Sequence, residues 1–377
     1  MNTVEAMGDL PPRLKMLPLG EGLPYSRSAF VSRFFQEQQF GRILESYIIS
    51  SSPDVVISAN APLEVQIRAV KATHRTGGRF VYWLQDLLGK AANDVLTRKL
   101  GPAGGLIAAY FSHLEEYSIR LSDFVVCISE DFIPTLSKWK INLTDTRVIE
   151  NWAPKNDISP RLKDNPWSRA HNLQNYKVVL YSGRLGFKQN PQAILELAVS
   201  SRQDKAIKIV VVAAGVGAEW LGKKKAELHL DNLVVLPFQP YEDLPDILGS
   251  ADLLVCTMEK QASPYCVPSK ILTYLAAGRA ILASISSENL NARLINRIHA
   301  GIVVDPSDTA AFVDAAHSLL SNEIELHEYA RNGRTYAEAA FNITHIADQF
   351  CIILDSLRKV YPVHVRTRKS FESMTAE

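Results

Sequence analysis

Six short runs of β-branched and aliphatic residues recur through the second half of the chain, each followed by a stretch of helical period. That alternation leaves few folds open. The runs are Lys177–Ser182, Ile207–Ala213, Leu233–Leu236, Leu253–Thr257, Ala280–Ala283 and Ile302–Val304. Their apolar residues occupy successive positions rather than every second one, so both faces must be covered, as in a parallel sheet between helix layers. The intervening helices carry matching end signals. Asn190 and Pro191 open one over Pro191–Val199, Gly278 closes one over Ser269–Ala277, and Asp308 caps one running to about Leu320. The expectation is a doubly wound α/β domain over residues 173–340.

The first half repeats the theme less completely, with strands expected at Val55–Ser58, Phe80–Leu84, Val125–Ile128 and near Arg147–Ile149. Helices are expected around Pro62–His74 and Gly104–Leu121, and Phe30–Tyr47, with Phe34, Phe35, Phe40, Ile43 and Leu44, reads as a core helix. This gives a second Rossmann-like domain over residues 1–155 and a polar linker over 156–172. A doubly wound domain ordinarily opens with an apolar strand and a Gly-containing turn. Met1–Pro24 contains neither, so the first domain is expected to lack its opening strand. A helix over roughly Ile343–Val360 (residues 341–362 as a segment) follows the second domain. After it comes a basic tail, 363–377, expected to be disordered.

Composition narrows the function classes. The 377 residues carry 41 Lys+Arg against 40 Asp+Glu, so no overall field draws in nucleic acid. The four cysteines (Cys127, Cys256, Cys266, Cys351) show no metal-binding spacing, and their scatter suits a reduced, cytoplasmic compartment. No apolar run approaches the ~20 residues of a membrane span.

In doubly wound sheets ligands bind beyond the carboxyl ends of the strands, and two such domains facing each other would form a cleft there. The residues after the strands are therefore the candidates. Gly183-Arg184-Leu185-Gly186-Phe187-Lys188 combines glycines, two cations and a following helix N-terminus, a set suited to a diphosphate. It is equally readable as a tight turn with two solvated cations. Ala214-Gly215-Val216-Gly217 reads as a plain turn. Phe238 and Gln239, between Pro237 and Pro240, offer a face and an edge to a nucleobase, or simply a Pro-bounded turn. The stretch Val267-Pro268-Ser269-Lys270 opens a helix with exposed N–H groups. A lysine in a first turn opposes the helix dipole unless an anion sits nearby; the alternative is a surface lysine. No Walker A loop, H-E-x-x-H, G-x-S-x-G or D-x-D pair is present.

The order of these segments resembles a family of enzymes. Tyr181–Gln189, Leu236–Pro245, Ser250-Ala251-Asp252 and Val267–Lys270 followed by Leu275–Arg279 look like a family 4 glycosyltransferase of GT-B fold, closest to the colanic-acid and exopolysaccharide branch. Pro53–Val56, Leu84–Leu87, Ser122–Ser129 and Val148–Trp152 fall in the same order. The resemblance implies a retaining transfer from a nucleotide-diphosphate sugar to a glycan or lipid-linked acceptor in surface polysaccharide biosynthesis, with no metal and no cofactor beyond the nucleotide sugar. It implies Arg184 and Lys188 as the diphosphate clamp, with Gly183 and Gly186 beside it, and Phe238 and Gln239 as the base loop. Val267, Pro268, Ser269 and Lys270 would flank sugar and phosphate. Asp86 would be an acceptor-side catalytic residue, or a plain surface carboxylate.

One departure is that the two glutamates usual in this family are here Tyr265 and Thr273, which leaves Thr273 or backbone to hold the donor ribose. Peripheral membrane contact is expected because lipid-linked acceptors lie at the bilayer. Two other readings stay open: a GT-B protein that binds nucleotide or a partner without chemistry, and a sugar-nucleotide epimerase on the same architecture.

Overall fold

The computed structural model describes residues 11–20, 22, 30–59, 61–262 and 267–359. The tail 363–377, most of Met1–Pro24, and Tyr265 and Cys266 lie outside the described residues. The chain divides into two compact units, one holding the residues up to Ile149 together with those from Thr344 onward, the other Glu150–Ile343.

The first unit is built on four parallel strands in sequential order: β1 (Val55–Ala59), β2 (Arg79–Leu84), β3 (Phe124–Cys127) and β4 (Thr146–Val148). Phe80, Tyr82 and Leu84 of β2 are buried on one face against Val70 and Ile119; Val81 on the other face is buried as well. Among the described residues no strand precedes the first helix, Phe30–Ser51. That helix is only partly core: Ile48 is buried and Leu44 packs on the cluster, but Phe35 is 67% exposed. The long helix Leu88–Leu121 is interrupted at Gly101, whose φ of 58° breaks it just before Pro102. The helix Ile343–Lys359 belongs to this unit; its Phe350 meets the ring of Trp83 on β2 edge to face at 5.1 Å.

The second unit holds six parallel strands: β5 (Lys177–Arg184), β6 (Ile207–Ala214), β7 (Leu233–Leu236), β8 (Leu253–Thr257), β9 (Ala280–Ser284) and β10 (Gly301–Val304). Their order is β10-β9-β8-β5-β6-β7. Successive residues of β5 enter opposite cores: Val178 and Leu180 join one cluster, Val179 and Tyr181 the other. Burying one such side chain is worth ~1.5–3 kcal/mol, so helices are required on both faces. Residues 156–172, expected as a linker, instead pack into this unit, with Ile158 and Trp167 in its core. Trp167 lies in a short helix, Pro166–Ala170, capped reciprocally by Asn165 and Ser168.

The strand order reverses between β5 and β8. β5 pairs with β6 along its whole length but with β8 only at Val179↔Leu253 and Leu180↔Leu254. The sheet therefore splits at the carboxyl end of its central strands, the place where open α/β sheets take ligands.

Candidate functional site

A cavity of about 430 Å³ occupies this split. Such a volume falls within the ~300–1,000 Å³ usual for small-molecule sites. It is lined by Gly183 and Arg184 at the end of β5, by Thr257 and Met258 past β8, and by the segment Val267–Lys270 with Thr273. No aspartate or glutamate lines it among the described residues.

Lys270 is the first residue of the helix Lys270–Ala277. Its Nζ is buried, has no hydrogen-bond partner among the described residues, and sits 3.4 Å from the centroid of the Tyr181 ring. Burial pulls its pKa down to about 8, against a smaller opposing effect of the neighbouring Cys256. Burial in turn raises that thiol to about 11. Gly183 makes room for this arrangement: its φ is +121°, and a Cβ there would stand 3.4 Å from both Cε and Nζ of Lys270. The lysine that looked misplaced beside a helix dipole is thus a cation without a hydrogen-bond partner among the described residues, lining a cavity.

The loop before the helix is fixed from outside. The Asn291 side-chain amide donates to the Pro268 carbonyl at 2.9 Å. The N–H groups of Ile271 and Leu272 turn back onto the carbonyls of Pro268 and Ser269, so they are not open to a ligand as the sequence suggested. Ser269 stands at the N-cap without a side-chain cap bond.

The turn after β5 is equally braced. Gln189 Oε1 accepts the Gly186 N–H at 2.8 Å. Thr257 Oγ1 donates to the Gln189 carbonyl, and the Glu259 N–H donates to the Lys188 carbonyl. Gly215 and Gly217, read as a plain turn, press against the Leu185 carbonyl: a Cβ at 215 would come within 2.6 Å of it, and the Gly217 N–H donates to it at 3.0 Å. This buttress was visible in sequence only as a weak G-x-G. Asn190 begins the helix Pro191–Ser200, but in a left-handed conformation (φ 45°) and without a side-chain cap bond.

Of the residues singled out from sequence, Gly183, Arg184, Val267, Pro268, Ser269, Lys270 and Thr273 line the cavity together. Gly186, Lys188, Phe238 and Gln239 do not line it. Lys188 is exposed on the braced turn. Phe238 is 54% exposed beyond β7, and Gln239 donates to the Pro237 carbonyl. Asp86 lies in the first unit, two residues past β2, and burial raises its carboxyl above the usual range. Sequence reasoning did not single out Tyr274 and Thr257, which line the cavity, or Tyr181, whose ring faces the Lys270 ammonium. Other motif residues are structural: Arg279 donates to the carbonyls of Arg161 and Gly249, and Ser250 bonds to the Asn165 side chain. Among the described residues no group of three or more His, Cys, Asp or Glu could hold a metal ion, and no helix is long and apolar enough to cross a membrane.

Two Rossmann-like α/β units in one chain, the second with its ligand-sized cavity at the switch point, are the architecture of the GT-B fold. Solved structures with this fold superpose accordingly. Anabaena HepE, in complex with UDP, matches with a TM-score of 0.67 at 16% identity, over 84% of this chain and 82% of that one. Sucrose-phosphate synthase from Thermosynechococcus elongatus matches with a TM-score of 0.70 at 16% identity, over 94% and 87%.

In sequence, the family described as "Glycosyl transferases group 1" matches residues 164–336. WcaI of Escherichia coli (strain K12), named for colanic acid biosynthesis and glycosyl transfer, is 27% identical over 251 residues, 66% of this chain and 60% of that protein. WbjE of Pseudomonas aeruginosa, named as a glycosyltransferase, is 24% identical over 68% of this chain and 64% of that protein. These matches span less than two thirds of the relatives' own lengths. The chain is a GT-B fold protein related to glycosyltransferases, the colanic-acid relative among them.

Proposed function

We propose that the protein is a retaining glycosyltransferase of the family 4 type that moves a sugar from a nucleotide-diphosphate donor to a glycan or lipid-linked acceptor in surface polysaccharide biosynthesis. The observation that carries this reading is the Lys270 ammonium, buried and unpartnered among the described residues, in a cavity that also holds Arg184 and contains no carboxylate among those residues. A cation so placed stabilises an anion that arrives from outside, and most strongly one whose charge grows as a bond breaks. When the bond from the sugar's anomeric carbon to the β-phosphate oxygen breaks, the phosphate keeps the electron pair, the acceptor oxygen bonds to the anomeric carbon, and the acceptor's proton passes to the departing diphosphate. Lys270 and Arg184 receive that charge from inside the cavity, and Lys188 from the turn beside it. Gly183 and Gly186 let the backbone approach the phosphates, and Val267, Pro268, Ser269 and Thr273 border the sugar and ribose. Phe238 and Gln239 form the base loop, and Asp86 serves the acceptor side. The complexes of HepE with UDP and UDP-glucose support a uridine donor as the first one to try.

The test is calorimetric titration with UDP, followed by product analysis with UDP-glucose and related donors, with and without a glycan acceptor. Binding plus acceptor-dependent transfer is expected, with the anomeric configuration of the donor kept. Donor conversion without acceptor would instead indicate an epimerase, and binding without any turnover a non-catalytic nucleotide-binding protein.

A further inference from the structure

One side chain bridges the two strands at the split in the second unit's sheet. β5 and β8 both continue past their last paired residues, Leu180 and Leu254, yet their ladder stops there. Carried on in register, Ser182 would face Cys256, and the Ser182 N–H would donate to the Val255 carbonyl. That rung is replaced by the phenol of Tyr274. The Ser182 N–H donates to Tyr274 Oη at 3.0 Å, and Oη lies 3.3 Å from the Val255 carbonyl and 3.3 Å from the Ser182 carbonyl, either of which can take its proton. Tyr274 is only 1% exposed, so its hydroxyl depends on these backbone partners. It stands four residues after Lys270 on the same short helix, hence on the same face. One side chain therefore holds the strands apart and sets the depth at which the helix presents its first residue.

We propose that Tyr274 is a positioning residue of the anion site. Its hydroxyl substitutes for the missing rung between β5 and β8, and so keeps Gly183 and the Lys270 ammonium at the spacing that receives a diphosphate. The inference rests on the donor reading above and adds to it a residue that acts through the strands and the helix it braces. Without the hydroxyl, the Ser182 N–H and the Val255 carbonyl lose their shared partner, and a direct rung between them requires the strands to close toward each other beside the cavity.

The experiment compares wild type, Tyr274→Phe and a variant carrying p-aminophenylalanine at position 274, each titrated with inorganic pyrophosphate, UDP and uridine. Tyr274→Phe is expected to weaken pyrophosphate and UDP at least tenfold and by a similar factor, with uridine unchanged. The amino variant, which keeps a donor and acceptor at the same place, is expected to stay within twofold of wild type for all three. Equal pyrophosphate affinity in wild type and the folded Phe variant overturns the proposal. So does loss of binding in an amino variant that melts like wild type, whether or not the Phe variant folds. A wild type that binds neither pyrophosphate nor UDP overturns the donor reading instead. In that case a crystal structure of Tyr274→Phe still tests the wedge, which predicts a shorter distance from Ser182 N to Val255 O.

Discussion

The ammonium of Lys270 stands over the ring of Tyr181, 3.4 Å from its centroid, and that ring belongs to the residue whose hydroxyl donates to the Arg184 carbonyl at 2.7 Å. The aromatic face offsets part of the cost of burying the charge, but a cation–π contact is worth only ~0.5–2 kcal/mol against a penalty of several kcal/mol for a buried ion. The free protein thus holds a destabilising cation in its cavity. Lys270→Met, similar in length and apolar, should raise the melting midpoint of the free protein, by ~2–4 °C for each kcal/mol recovered in a domain of this size. It should also lower UDP affinity at least about tenfold, the loss of one charge-assisted contact. Melting curves with and without UDP check both. A midpoint that falls, with affinity unchanged, would contradict the reading of Lys270 as a ligand-awaiting charge.

The same lysine makes stability and affinity depend on pH in opposite senses. Burial lowers its pKa from 10.5 to about 8. Between those values the unfolded chain carries a proton that the folded chain has lost, so the lysine's contribution to the stability of the free protein should rise as pH goes from about 8 toward 10.5. Below about 8 both states are protonated and the slope from this group vanishes. Cys256 and Cys127, raised to about 11 and about 12, and the phenols of Tyr181 and Tyr274 stay protonated in the folded chain while the unfolded chain ionises them, so from about pH 9 upward they pull stability the other way. The difference between wild type and Lys270→Met isolates the lysine. A bound diphosphate restores the charge, so its affinity should fall above pH 8 by up to about tenfold per unit. Calorimetry in buffers of different ionisation enthalpy should find proton uptake on binding at pH 9 and almost none at pH 7. Lys270→Met should abolish the difference.

Much of this architecture is legible without coordinates. The ten strands among the described residues fall within one or two residues of expectation, most plainly where residues buried on both faces leave unbroken apolar runs such as Val178–Tyr181 in β5 and Ile209–Ala213 in β6. The helix Glu323–Ala340 gives a much weaker signal, because its buried side is small and sparse, with Leu326, Gly333 and Ala337 among charged neighbours. In the site, Lys270 is legible as a charge at the wrong end of a helix. Tyr274 is not, because a tyrosine in an apolar helix reads as core until its hydroxyl's partners are known. Asp123 and Asp252 show the same limit. Each precedes a strand, and each clamps one residue of the neighbouring strand. The Asp252 N–H donates to the Val178 carbonyl while its carboxylate accepts the Val178 N–H, and Asp123 does the same with Phe80. The motif is visible in the sequence; its role needs the identity of the adjacent strand.

That clamp carries a stability prediction for the first unit. Burial pushes the Asp123 carboxyl up, but hydrogen bonds from the Phe80 N–H, His74 and Arg79 outweigh it and hold the group below the usual carboxylate range. A depressed carboxylate contributes stability that is present above its unfolded pKa and lost as pH falls through its folded one. Asp123→Asn should therefore destabilise the protein at pH 7 by ~1–3 kcal/mol, the scale of charged hydrogen bonds to a half-buried group. The deficit should shrink as pH drops below about 4. Urea denaturation at pH 7 and pH 3.5 measures it, and an equal deficit at both would show that charge has no part in the clamp.

Gly183→Ala tests whether the floor of the cavity needs a residue without a side chain. The backbone there has φ +121°, costing a non-glycine residue ~1–3 kcal/mol, and the new Cβ would touch Cε and Nζ of Lys270 at 3.4 Å. Stability and UDP affinity should both fall. Adding Lys270→Met should leave the backbone cost in place, since strain at 183 does not depend on what lies above it. A double variant as stable as Lys270→Met alone would mean that the contact, not the backbone, had been the constraint.

Arg184 and Lys188 separate charge that lines the cavity from charge beside it. Both side chains are exposed, so their removal should leave the melting midpoint within a degree or two of wild type. Arg184 lines the cavity and Lys188 does not. If Arg184 receives charge from the departing diphosphate, Arg184→Ala should lower turnover at least about tenfold, the equivalent of ~1.4 kcal/mol of transition-state stabilisation. Its effect on kcat should exceed its effect on donor KM, because a contact that strengthens as the bond breaks is felt mainly in the transition state. Lys188→Ala, acting from the braced turn, should weaken donor binding and turnover by a smaller factor. Steady-state kinetics with the donor that the wild type uses decides the matter: unchanged kinetics in Arg184→Ala would remove the guanidinium from the clamp and leave Lys270 as the cavity's working cation.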